Sequence, residues 1–126
     1  MARSIARDTV VDRDGLEAFV RPRHHGILGT WRSDGSPQLS PVTMGLGPDG
    51  AVLVASYPER AKVKNLRRRP EATMCVLSED FRSISGEHPD WAEYRQAMVD
   101  QGKVLIRLVP ERWGPVSRGG FPAHLA

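Results

Sequence analysis

Residues 26–56, GILGTWRSDGSPQLSPVTMGLGPDGAVLVAS, decide the fold. The run GILGTWR at 26–32 has strand character, and SDGS at 33–36 is a turn signal with Asp34-Gly35 as the hairpin pair. PQLSPVTM at 37–44 is the returning strand, and its two prolines assign it to a sheet edge or an irregular point. GPDG at 47–50 is a second turn, and AVLVAS at 51–56 is a third strand, apolar enough to be central. Successive hairpins of this kind make an antiparallel meander.

Working outward, Leu16, Phe19 and Val20 sit at helical spacing. They predict a short helix from Asp14 to about Arg21, with Asp14 near its N-cap and Pro22 ending it. Residues 1–14 carry mixed charge and few apolar side chains, and read as an arm; residues 15–126 read as a single domain. Downstream, 58–69 reads as a loop entering a short helix that stops near Pro70, and EATMCVL at 71–77 as a fourth strand. HPDWAEYRQAMVDQG at 88–102 predicts a helix with Trp91, Tyr94 and Met98 as its apolar stripe. KVLIRLVP at 103–110 is the last predicted strand, and the Gly- and Pro-rich tail reads as irregular. Many strands, few helices and tight turns predict a mainly β, α+β architecture: a small antiparallel barrel with peripheral helices.

A length of 126 residues suits one domain with its own core. The single cysteine, Cys75, excludes an intrachain disulfide and a multi-cysteine zinc site, and its strand position predicts a buried structural thiol. No apolar run approaches the roughly 20 residues of a membrane span, and the first residues lack the apolar centre of a signal peptide. A cytoplasmic protein is the expectation. The formal charge is +3, yet RAKVKNLRRR at 60–69 holds six basic residues and no acidic one. The remainder of the chain is therefore slightly acidic. A local patch of this kind suits a compact anionic ligand, whereas a nucleic-acid duplex asks for positive charge over a broad surface. No aromatic residues interleave the patch for base stacking, so a nucleic-acid partner is not expected.

Arg60, Lys62, Lys64 and Asn65 form the strongest candidate site. Several cations and an amide donor near a helix N-terminus make a ready phosphate site. Ser40, Pro41 and Val42 form the second, because a proline within a strand releases backbone groups from the ladder. Adjacent His24 and His25 diverge in a strand and do not converge on a metal, so no metal site is expected. Ser40 and Ser56 have no identifiable His/Asp partners for a hydrolase triad.

The runs HHGILGTWRSDGSPQLSPV (24–42) and DGAVLVASYPERAKVKNLRRRPEATMCVL (49–77) resemble the flavin/deazaflavin oxidoreductases of the pyridoxamine 5′-phosphate oxidase-like class. The nearer resemblance is to its coenzyme F420-dependent group. It rests on Gly26–Thr30, on Asp34, Gly35 and Pro37, on 40–42 and on 60–70, with GEHPDWAEYRQAM at 86–98 also similar. The resemblance implies an antiparallel split β-barrel of the FMN-binding kind, a homodimer with sites at the subunit interface, and a small-molecule substrate. It assigns Arg60 and Lys62, with Lys64 and Asn65 nearby, to the cofactor phosphate. It assigns Ser40, Pro41, Val42 and Ser56 to the isoalloxazine-type ring and ribityl chain. The implied chemistry is hydride transfer between C5 of the deazaflavin and an electron-poor organic acceptor, with F420 as cofactor and FMN as the alternative. A carrier or sensor that binds F420, FMN or haem, and an FMN-dependent oxidase of the pyridoxamine phosphate type, are the competing functions. One departure is at a joint near 81–82, where some two dozen residues or more of the family, a strand included, have no counterpart, either because the variant is shortened or because the segment is left out of the sequence; a barrel without that strand would have an unpaired edge.

Overall fold

The computed structural model describes residues 5–78 and 99–125. In chain order these form β1 (Arg7–Thr9), α1 (Arg13–Val20), β2 (His25–Trp31), β3 (Pro37–Thr43), β4 (Gly45–Leu46), β5 (Val52–Ser56), α2 (Ala61–Arg68), β6 (Thr73–Val76), β7 (Val104–Leu108), β8 (Val116–Arg118) and a 3-10 turn at Ala123–Leu125. The joint near 81–82 and most of the helix expected at 88–102 lie outside the described residues.

Strands β3–β2–β6 form one antiparallel sheet, and β4–β5–β7 a second. Only Met44 separates β3 from β4, and its N–H donates to the His24 carbonyl at 2.8 Å. The chain thus passes from one sheet to the other with almost no connecting loop. Between the sheets, Val20, Met44, Leu46, Val52 and Val54 form the buried core, and Leu16 and Phe19 of α1 pack against it. The result is a mainly β fold with two peripheral helices and an open, split-barrel arrangement of antiparallel sheets. As its two prolines predict, β3 lies at the edge of its sheet among the described strands.

Both central hairpins use one device, and it is not the two-residue turn expected from Asp34-Gly35. Gly35 N–H donates to the Arg32 carbonyl and Arg32 N–H to the Ser36 carbonyl; Gly50 and Gly47 repeat the pattern, with Gly47 N–H donating to Ala51. Each loop has three residues and ends on a glycine with positive φ, +86° at Gly35 and +85° at Gly50. A two-residue type I′ turn needs positive φ at both central positions, and among the described residues no non-glycine adopts it. Asp34 accepts from Ser36 and Asp49 from Ala51, which locks each loop from within. These bonds hold the Asp34 carboxyl below its usual range, and the Arg107 guanidinium does the same for Asp49.

Other local expectations shift. Asp12, rather than Asp14, caps α1, accepting from Gly15 N–H at 2.8 Å; Asp14 contributes its charge to the first turn. The N-terminal segment, expected as an arm, and the tail, expected to be irregular, hold each other: β1 pairs antiparallel with β8, and Trp113 Nε1 donates to the Val11 carbonyl at 2.9 Å. Cys75 is exposed, not buried. Its register partner is Ile27, so it lies on the outward side of β6, while Met74 and Val76 turn to the core.

The glycine opening GILGT has a packing reason. A Cβ on Gly26 would stand 2.7 Å from Met74 Sδ and 2.9 Å from the Cys75 carbonyl oxygen. The thioether can swing away, but the backbone carbonyl belongs to the paired strand. Gly26→Ala is predicted to destabilise the fold by about 1–3 kcal/mol in urea titration, the usual cost of overpacking. Unchanged stability would show that β2 and β6 separate freely.

Candidate functional site

Strand β5 ends at Ser56, which is buried, and the chain turns through Tyr57 and Pro58 into α2. Arg60 occupies the N-cap with extended backbone, and its side chain makes no capping hydrogen bond. N-cap residues ordinarily bring an acceptor oxygen, which arginine lacks. The first turn contains no acidic residue, so Arg60, Lys62 and Lys64 add positive charge to the positive end of the helix dipole. Arg60 and Lys64 are exposed and Lys62 is half-buried. No carboxylate among the described residues pairs with these three. Cations at this end are unfavourable to the helix dipole, and an anion placed there would offset them.

The other half of the basic block is occupied differently. Arg68 donates to the Trp31 carbonyl and to Asn65 Oδ1, both at 2.9 Å. Arg69 pairs with Glu71 at 3.0 Å and lies 4.6 Å from the centroid of the Trp31 ring. Cations at a helix C-terminus are favoured by the dipole. The run 60–69 is therefore divided between an open N-terminal half and a structural C-terminal half.

Asn65 turns inward, away from the solvent-facing cations. It is 6% exposed, and its Nδ2 donates to Thr30 Oγ1 at 3.1 Å and to Gln38 Oε1 at 3.0 Å. Both amide hydrogens are thus committed within the fold. This bond set seats α2 across β2 and β3.

The element 40–42 is divided by the strand's period of two. Ser40 is half-buried and shares a face with Gln38, and Val42 packs against the core. Pro41 is exposed on the opposite face, in register with Ile27. Ser40 stands about 7 Å along β3 from Gln38, at the rise of an extended chain. The Asn65–Gln38 bond therefore brings α2 beside the Ser40 side of β3. Thr30, Gln38, Tyr57 and Lys103 belong to this neighbourhood although the sequence reading does not single them out. The alternation of 38, 40 and 42 could have pointed to Gln38; Lys103 is brought in by strand pairing alone.

On another flank of α2, a cleft of about 310 Å³ separates it from β7, lined mainly by apolar residues including Val63, Leu66, Leu105 and Ile106. None of the sequence-predicted site residues lines it. Among the described residues, no group of three or more His, Cys, Asp or Glu could hold a metal ion, and no helix is long and apolar enough to cross a membrane.

A family model for pyridoxamine 5′-phosphate oxidase matches residues 13–117. The chain belongs to this family. Among solved structures, the conserved hypothetical protein Rv2991 from Mycobacterium tuberculosis superposes with a TM-score of 0.65 at 19% identity, covering 86% of each chain. A structure named F420 reductase superposes with a TM-score of 0.56 at 19% identity, covering 76% of this chain and 93% of its own. These likenesses show that the pyridoxamine 5′-phosphate oxidase family's split-barrel fold is shared by proteins of different name.

Asn65→Ala removes one buried amide and strands its partners. The predicted loss is about 1–3 kcal/mol of stability, the cost of leaving buried polar groups unpaired. Chemical denaturation measures it, and a loss near zero would contradict the seating role.

Proposed function

We propose that this protein binds coenzyme F420 and transfers a hydride between the deazaflavin and a small electron-poor organic acceptor. The observation that carries this reading is the uncapped, wholly cationic start of α2 immediately after buried Ser56. F420 is a long anion with a phosphodiester and a glutamate tail, and a local cationic patch complements it without making the whole protein strongly basic. The resemblance of residues 26–30, 40–42 and 60–70 to the F420-dependent group supports the choice of cofactor.

The donor set fits the group. Arg60 offers a forked pair of donors, Lys62 and Lys64 point charges, and the first turn of α2 its backbone amides. Ser40, Val42 and Ser56 would border the ring and ribityl chain, with Pro41 shaping the strand between them. Asn65 sets the position of the cations through Thr30 and Gln38 rather than touching the cofactor. When bound, the deazaflavin supplies hydride donation or acceptance at C5. The chain's contribution is to hold that ring in one orientation against the acceptor and to keep water from the apolar interior behind Val42.

The reading includes a second copy of the chain, which would complete each site. The outward face of β3–β2–β6 carries Pro41, Ile27 and Cys75 in one register row, and Leu39, 70% exposed, beside Gly29. An apolar sheet face that no described residue covers is a natural self-association surface. Leu39→Arg is predicted to convert a dimer to a monomer in light scattering. A monomeric wild type, or a variant that stays dimeric, would overturn this part.

Fluorescence titration with F420 and with FMN tests the cofactor assignment. Tight F420 binding is expected, weakened about 100-fold or more in the Arg60→Ala/Lys62→Ala double variant, since two charge-assisted contacts are lost. Unchanged affinity in the folded double variant would refute the phosphate site. Tight FMN binding without F420 binding would transfer the reading to flavin chemistry. F420 binding without F420H2 turnover on enones, quinones and nitro compounds would favour a carrier.

A further inference from the structure

The sheet register brings a cation to the site from a distant part of the chain. Ser56 pairs with Val104, so the next antiparallel position sets Tyr57 beside Lys103. The Lys103 ammonium lies 5.2 Å from the centroid of the Tyr57 ring. The Arg60 guanidinium lies 6.0 Å from the same centroid. Tyr57 and Lys103 are half-buried and Arg60 is exposed. No carboxylate among the described residues pairs with either cation.

A tyrosine ring attracts a cation only modestly, and the distances here are at the outer range of that interaction. It does not neutralise two positive charges. Arg60 and Lys103 therefore border one ring, and among the described residues neither charge has a carboxylate partner. An anion seated beside the ring would be attracted by both charges. The β5–β7 pairing sets Lys103 beside Tyr57 independently of any ligand, so that part of the position is preformed.

We infer that Lys103 and Arg60, held about Tyr57, form a second anion-binding position that accepts a phosphate or carboxylate group of an elongated polyanionic ligand. The inference rests on the cofactor reading above and refines it. Lys103 would favour a ligand with several anionic groups along its length over FMN, which carries a single phosphate.

Lys103→Ala, Lys103→Gln and Lys103→Arg test it in the full chain, each checked for folding by circular dichroism. F420 and FMN are titrated by fluorescence, and inorganic tripolyphosphate by calorimetry as a probe free of any ring. The Ala and Gln variants are expected to lose about tenfold in affinity for F420 and for tripolyphosphate, as for one charge-assisted contact. Arg should restore most of it, FMN affinity should not change, and the loss should shrink as salt is raised. Wild-type affinity for F420 and tripolyphosphate in the folded Ala and Gln variants at low salt would overturn the inference. A Lys103-dependent tripolyphosphate site in a protein that does not bind F420 would uphold the anion position and refute the cofactor reading. F420 binding that ignores Lys103 would do the reverse.

Discussion

The side-chain amide of Asn65 is the contact on which the geometry of the site depends. Its two donor hydrogens reach Thr30 on β2 and Gln38 on β3, and its oxygen accepts from Arg68. Thr30 is 1% exposed, so this is a polar bond inside the sheet-to-helix interface. Apolar packing through Val63 would allow α2 to slide or roll; directional hydrogen bonds at low dielectric do not. Once Asn65 is seated, the start of α2 and its cations are fixed relative to β3 and the end of β5. The helix spans eight residues, too short to be stable alone, and much of its definition comes from this anchorage.

The same anchorage explains how six basic residues share ten positions without acting as one surface. Arg68 and Arg69 are drawn back onto Trp31, by a hydrogen bond and by stacking, at the end of the helix where positive charge is favoured. Arg60, Lys62 and Lys64 are left at the end where it is disfavoured. The fold thus favours the cations at one end of α2 and leaves those at the other end without that compensation. Lys103 extends that end across a strand pair, so the patch is larger than the linear sequence block and still local.

Much of the frame was legible in the sequence because it is local. The hairpins announced themselves through SDGS and GPDG, the edge position of β3 through Pro37 and Pro41, and α1 through Leu16, Phe19 and Val20. The errors have physical reasons. Two aspartates stand near the start of α1, and periodicity does not say which side chain will reach back to an amide. A Gly after Asp marks a turn, but loop length follows from which carbonyls are bonded. The β1–β8 pair joins residues near opposite ends of the chain, beyond the reach of any local pattern. Cys75 is exposed because of its register with Ile27, which alternation leaves undetermined as to face. In the site, the cations of 60–64 were legible as charge, whereas the inward turn of Asn65 and the arrival of Lys103 depend on tertiary contacts.

Amide chemical-shift mapping of the isotope-labelled wild-type protein during F420 titration tests the central claim most directly. The account predicts the largest shifts at Ser56, Tyr57, Arg60, Ala61 and Lys62, with a second group at Ser40 and Val42. Shifts concentrated at Leu66, Arg67 and Val104–Leu108, along the apolar cleft, with Ser56–Lys62 unmoved, would contradict it.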